Sequence, residues 1–260
     1  MDFGICAFNY GRNVNDGRGL FIGCIVGRQP QLMDYAISDF QGLLETSIVQ
    51  TPYMLRGAYD NIANFYLNKK TGDIVANLRK AKEFFSKALT LLNNTNAQND
   101  IARIKSNYGV CLFELGEHKQ SIKMINEALE YITIENDPIF FANTEMMLGT
   151  VSLFLLEVKG EAMSSFEGVL FEGIEAYRKA LIVYNLKDYP KKYGSIMLNL
   201  ARLMLIKEEH YKDGSWLIAK HYYDSILLES LGSGLSEARK EYDVIGKRLI
   251  EMTTNIQITR

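Results

Sequence analysis

Five glycines crowd the start of the chain, Gly11, Gly17, Gly19, Gly23 and Gly27, in the string GRNVNDGRGLFIGCIVG. Backbone amides of a glycine-rich loop cradle phosphate when the loop reads GxxxxGK and then Ser or Thr, between a strand and a helix. Here the interval from Gly11 to Gly17 is wrong, no lysine follows, and GxGxxG is missing. The segment therefore reads as a loop or an irregular terminal repeat, and Arg12, Arg18 and Arg28 as solvated cations. A second cluster, Glu208, Glu209 and His210 with His221 further on, offers metal-ligand chemistry. Helical metal sites need ligands at i, i+3 or i, i+4 on one face, as in Glu-x-x-His. No Glu-x-x-His occurs, so these residues read as a polar helix end. Cys111 lies among apolar neighbours and reads as a packed thiol rather than a nucleophile. With no HExxH, no GxSxG and no paired acid and base, the sequence predicts no catalytic residue, no metal, no cofactor and no enzyme.

Composition narrows the classes further. Hydrophobic residues are 47 % and charged residues 23 % of the 260, ordinary for a chain that buries a core. The net charge of -2 gives no electrostatic case for nucleic acid. Cys6, Cys24 and Cys111 form no CxxC, which excludes a disulfide framework and a zinc site and fits a reducing compartment. The longest apolar stretch, residues 149–156, is too short for a membrane span, and Asp2 stands where a signal peptide carries positive charge. The expectation is a cytoplasmic protein that contacts no membrane. Only four prolines occur, and Pro52, Pro138 and Pro190 lie where helices are expected to start.

Positioning any site on such a chain falls to helices, and the helices repeat. In residues 101–134, Tyr108, Gly109 and Leu112 mark one helix, Gly116 breaks it, and Ser121, Ile125, Ala128 and Leu129 mark a second. The same grammar recurs in residues 56–92 (Ile62, Ala63, Tyr66; then Ala81, Phe85, Ala88, Leu89). It recurs again in 141–184 (Leu148, Gly149; then Gly173, Tyr177, Ala180, Leu181) and in 193–228 (Leu200, Ala201, Met204; then Ala219, Tyr223, Ile226). Small residues let two antiparallel helices approach, and the large ones fill the space between them. Each second helix carries two of these positions seven residues apart, two turns on one face. The segment EAMSSFEGVLF in the third copy has no counterpart in the others. Loops are expected at 93–99, 185–188 and 231–234. Residues 31–46 read as a second helix with Ala36, Phe40 and Leu43 at its marks. Residues 236–253 read as a lone amphipathic helix with Ala238, Tyr242, Ile245, Leu249 and Met252 as its apolar stripe.

The strings SNYGVCLFELGEHKQSIKMINEAL and GIEAYRKALIVY resemble the tetratricopeptide repeat family, whose unit is about 34 residues. KKTGDIVANLRKAKEFFSKAL, with a Gly72-Asp73 turn and Asn77 before the second helix, is similar to its extended-repeat variety. The family's first-helix tryptophan is absent from all four copies. The resemblance implies an all-α fold, an α-α superhelix of about five helix pairs closed by a C-terminal capping helix. The division it implies is an irregular glycine-rich region or degenerate first repeat helix over 1–30, repeats over 31–232, and a capping helix with tail over 233–260.

It also implies a function: a scaffold or adaptor that binds a peptide or helix of a partner protein along a concave groove lined by first helices. The groove-facing positions then fall on Asp60, Asn64 and Asn68, on Arg103, Ser106, Val110 and Phe113, and on Arg202. Asn61, Asn107 and Asn199 recur one step along the helix and are read either as bonding a bound backbone or as stitching adjacent helices. The subset of the family that grips a C-terminal carboxylate uses Lys and Arg at places that are mostly uncharged here. The alternatives are a sensor for a small molecule or short signalling peptide, and an enzyme with a site around Arg12, Asp16 and Arg18. Self-association through Leu20, Phe21 and Ile22 is a further expectation.

Overall fold

The computed structural model describes residues 34, 37–38, 41–42, 44, 51–91, 98–159, 165–226 and 235–258. All regular structure among them is helical, with no strand, which establishes the all-α class. The glycine-rich start, with Arg12, Asp16, Arg18 and Leu20 to Ile22, lies outside the described residues. So do Ala36, Phe40 and Leu43. The chain divides into two compact units, Met1–Glu117 and His118–Arg260.

The N-terminal unit holds α1 (Pro52–Asn68), α2 (Ile74–Thr90) and α3 (Gln98–Glu114). The Thr51 hydroxyl accepts from the Met54 amide at 3.2 Å, and Pro52 occupies the first turn, where its missing N–H costs nothing. Gly72, at φ +73°, makes the left-handed turn into α2, whose N-cap Asp73 accepts from the Ala76 amide at 3.0 Å. Asn77 lies inside the first turn of α2 rather than before it. Its buried amide donates back to the carbonyls of Thr71 (2.9 Å) and Lys69 (3.4 Å), which fastens the turn to the helix. Ala63, Ala81 and Ala88 are fully buried with Ile62 and Phe85, as the small-residue grammar requires. Tyr66 and Phe84 stack at 6.0 Å. Helix α3 starts within the expected 93–99 loop, at Gln98, and ends at Glu114, two residues before Gly116. There the Glu117 amide reaches the Leu112 carbonyl (2.8 Å) and the Gly116 amide the Phe113 carbonyl (2.9 Å), a Schellman motif around φ +79°.

The C-terminal unit holds α4 (His118–Leu129), α5 (Pro138–Lys159), α6 (Phe166–Val183), α7 (Pro190–Tyr211), α8 (Ser215–Asp224) and α9 (Leu235–Ile258). Pro138 and Pro190 begin their helices as expected. The 185–188 turn is closed by Asn185 and Asp188, whose side chains bond at 2.9 Å. Gly149 of α5 lies directly against the Tyr177 ring of α6, and Gly173 of α6 lies against Ser152 of α5. A Cβ on either glycine would come within 2.8 Å of its neighbour. The part of EAMSSFEGVLF from Phe166 onward forms the first turns of α6, where Phe166 and Leu170 are buried. Helix α9 packs on α7 and α8 through Ile245 and Leu249. Tyr242 stacks on Tyr223 at 4.0 Å, close to the expected stripe.

Helix α5 corrects one expectation. Its span Pro138–Val158 is long and apolar enough, by length and composition, to cross a membrane, with 67 % of the window buried inside the protein. The run extends past 149–156 because Asn143, Thr144, Thr150 and Ser152 interrupt it without charge, leaving only Glu145 and Glu157 ionisable. A helix apolar on all sides is what a central core position produces, and α5 touches α4, α6 and α7.

Candidate functional site

The expected site residues separate into two groups, one in each unit. On α1, Asp60, Asn64 and Asn68 stand at i, i+4 and i+8, one stripe of the helix. The Asn64 amide donates to both the carbonyl and Oδ1 of Asp60 at 2.9 Å, and the Asn68 amide to the Asn64 carbonyl at 2.8 Å. The stripe begins one turn earlier at Arg56, which the sequence reading passed over. Arg56 is 3 % exposed and donates through Nη2 to Asp100 of α3 at 2.5 Å. Its guanidinium lies 4.5 Å from the centroid of the Tyr53 ring, and its buried Nη1 has no hydrogen-bond partner. Helices α1 and α3 touch as well.

Burial pushes the Asp60 carboxyl up to about 7. The Asn64 hydrogen bond and the Arg56 charge pull it down, Asp100 raises it, and Arg103 lowers it. The face is therefore a compact array of two arginines, two aspartates and two amides, near electrical balance, with a carboxyl that changes charge close to neutral pH. Arg103, Asn107 and Phe113 are half-buried on α3. Ser106, expected to face a groove, is buried at 5 % exposure, because α3 turns that position into the helix contacts.

Arg202 is on α7 of the other unit and is bound within it. Its Nε and Nη2 grip the two Glu157 oxygens at 2.9 and 2.6 Å, and its Nη1 donates to Asn199 Oδ1 at 3.3 Å. Asn199 in turn donates to the Tyr177 hydroxyl at 2.9 Å, which meets Thr150 Oγ1 at 3.0 Å. In this copy the recurrent asparagine stitches helices. Asn61 is exposed and Asn107 half-buried.

The other candidate chemistry resolves into packing. Cys111 is fully buried, its thiol donates to the Leu78 carbonyl at 3.3 Å, and burial pushes it up to about 12. His210 packs on Phe166 at 4.5 Å, while Glu209 pairs with Arg248 of α9. Among the described residues, no three His, Cys, Asp or Glu side chains converge on a metal position.

No protein-family model matches the chain, and no curated protein matches it.

Two features escaped the sequence reading, Arg56 and a cavity around Glu145 described below. A signal for the first was present. Seven residues before the small first-helix residue of each copy stand Arg56, Ala102, Ala142 and Gly194. A charge alternating with alanine and glycine at one repeat position marks the odd member.

Proposed function

We propose that the chain is a tetratricopeptide-like helical-repeat protein that serves as a scaffold or adaptor. It binds an extended peptide or a helix of a partner protein through the face of its first helices, without catalysing a reaction. The observation that supports this reading is the polar array shared by α1 and α3. It aligns Asp60, Asn64 and Asn68 on one stripe of α1, with Arg103 of α3 close enough to act on Asp60, beside the buried Arg56–Asp100 pair. Amide and carboxyl groups fixed in this way offer donors and acceptors to a peptide backbone at little ordering cost. The paired state of Arg56 and Asp100 leaves no set of unopposed cations there, which argues for a mixed partner surface over a terminal carboxylate.

The test compares wild type with an Asn64→Ala, Arg103→Ala, Asn107→Ala variant as baits in the source lysate, followed by measurement on the purified captured protein. Binding of one identified protein by wild type, and its loss in a variant of unchanged helicity, supports the reading. Equal binding by both removes the assigned face.

A further inference from the structure

The C-terminal unit contains a cavity of about 430 Å³ that no step of the foregoing uses. Three elements shape it. Asn126 and Leu129 come from α4, and the following turn adds Ile132 and Glu135. Phe141, Glu145 and Leu148 form one face of α5, at i, i+4 and i+7. Glu172, Glu175, Ala176 and Lys179 form one face of α6. The hollow is open to solvent on one side, and its volume lies in the range of small-molecule sites.

The lining is graded by depth. Ile132, Leu148 and Ala176 are almost fully buried and apolar, and Glu135 and Glu175 are exposed at the surface end. Four glutamates face one lysine. Acidic residues that merely crowd a surface are ordinary, but Glu145 is different: it is 1 % exposed. Lys179 contacts its Oε1 at 3.2 Å, and its Oε2 is buried with no hydrogen-bond partner. An unmatched carboxylate oxygen inside a protein costs free energy that an incoming donor recovers. Burial raises the Glu145 carboxyl above the ordinary range, and the Lys179 charge opposes that rise. Lys179 is itself 45 % exposed on a flexible stem, so it can turn outward and yield its place.

From this geometry we infer that the cavity is a binding site for a cationic group on an apolar stem, an alkylammonium or alkylguanidinium. The stem lies along Leu129, Ile132, Phe141 and Leu148, and the cation takes the place of Lys179 at the Glu145 carboxylate, whose second oxygen has no other partner. Glu172 and Glu175 complete its surroundings; Glu172 is held in place by a 2.8 Å bond from Asn126. Such a cation is presented either by a free diamine or guanidine, or by a lysine or arginine side chain of a peptide. The inference concerns residues of the His118–Arg260 unit only and does not depend on the α1–α3 face.

The experiment is calorimetric titration of the full chain with butylguanidinium, its neutral isostere butylurea, agmatine, and the blocked peptide acetyl-Gly-Arg-Gly-amide. Butylguanidinium should bind wild type at least about tenfold more tightly than butylurea, since hydrogen bonds to charged groups carry that difference. Glu145→Gln, which preserves volume, should abolish the preference. Glu175→Gln, exposed and without risk to the fold, should weaken binding severalfold and reduce its salt dependence. Tighter binding of agmatine than of the peptide identifies a free cation as the source, and the reverse order identifies a side chain. Failure of every cation to bind wild type at millimolar concentration, equal affinity for butylurea, or an undiminished preference in folded Glu145→Gln would each overturn the inference.

Discussion

Replacing Gly149 with alanine should destabilise the protein, although the same change inside an exposed helix stabilises it. Alanine is favoured over glycine by about 1 kcal/mol within a helix, and Gly149 is interior to the 22-residue α5. Its added Cβ would stand 2.8 Å from Cδ2, Cε2 and Cζ of Tyr177, well inside the contact distance of about 3.5–4.0 Å for carbon atoms. The ring has nowhere to retreat. Tyr177 is fully buried, and its hydroxyl is held by Thr150 at 3.0 Å and Asn199 at 2.9 Å. Overpacking of this kind costs about 1–3 kcal/mol, and shifting the ring loses up to two hydrogen bonds at about 1 kcal/mol each. With both hydrogen bonds lost and the propensity gain set against them, the net loss is about 2–4 kcal/mol.

Gly168→Ala is the matched control, since a Cβ there meets nothing within 4 Å; it should leave stability unchanged or raise it by up to about 1 kcal/mol. The chain's one tryptophan, Trp216 in α8, lies in the same unit and reports its unfolding by fluorescence in urea. With the denaturant slope unchanged, the midpoint should fall for Gly149→Ala and hold or rise for Gly168→Ala. A rise for both would refute the assignment of Gly149 as a contact position.

Asp60 gives a pH signature. Its folded pKa is raised from 3.8 to about 7, so the fold favours the protonated acid. That contribution is complete below the unfolded pKa and is lost as pH rises through about 7. Wild type should therefore lose stability between about pH 4 and 7, by no more than about 4 kcal/mol, while Asp60→Asn, still able to accept from Asn64, should be flatter. Urea midpoints followed by circular dichroism check this, and identical pH slopes would refute it. The Arg202–Glu157 pair, 25 % and 34 % exposed, should show a coupling of about 0.5–1 kcal/mol in a double-mutant cycle with alanine; no coupling would mean the bidentate contact adds nothing. In a Cys6→Ser, Cys24→Ser background, Cys111 should resist thiol reagents in native buffer and react in denaturant. Rapid native labelling would contradict its packing.

What was legible in the sequence followed from local periodicity. Glycine at 72 and 116 marked turns because those positions have positive φ. Ala63, Ala81, Gly149 and Gly173 marked close approaches because nothing larger fits a helix–helix seam. The stripe of Asp60, Asn64 and Asn68 was legible as a face, but its members were read one by one. Their mutual hydrogen bonds depend on i, i+4 geometry that favours the amide of one for the oxygen of the last. Ser106 was put on the groove by the resemblance alone, whereas in the structure it is buried at 5 % exposure by the orientation of α3. Glu145 was not legible at all. Its depth comes from α4 and α6, contributed by residues up to 34 positions away at Lys179.

Among the described residues, the buried charges Arg56 and Glu145 bear on where function lies. At the position of Arg56 the other copies have Ala102, Ala142 and Gly194; at that of Glu145, counted from the same small residue, they have Tyr59, Lys105 and Met197. Packing in this architecture is satisfied by alanine or glycine at the first position, and at the second by a side chain that packs its apolar part, as the buried Met197 does. Neither charge is needed to form a helix pair. Each also retains one atom, Arg56 Nη1 and Glu145 Oε2, that is buried without a partner. Desolvating a charged group incompletely matched by its neighbours is costly, and an apolar replacement is commonly neutral or stabilising. A chain that carries such groups at positions where its own corresponding segments have alanine, glycine or methionine departs from local consistency there, and such departures concentrate at functional sites. The polar face of α1 and α3 and the cavity at Glu145 are therefore selected by the same physical criterion, independently of any periodicity in the sequence.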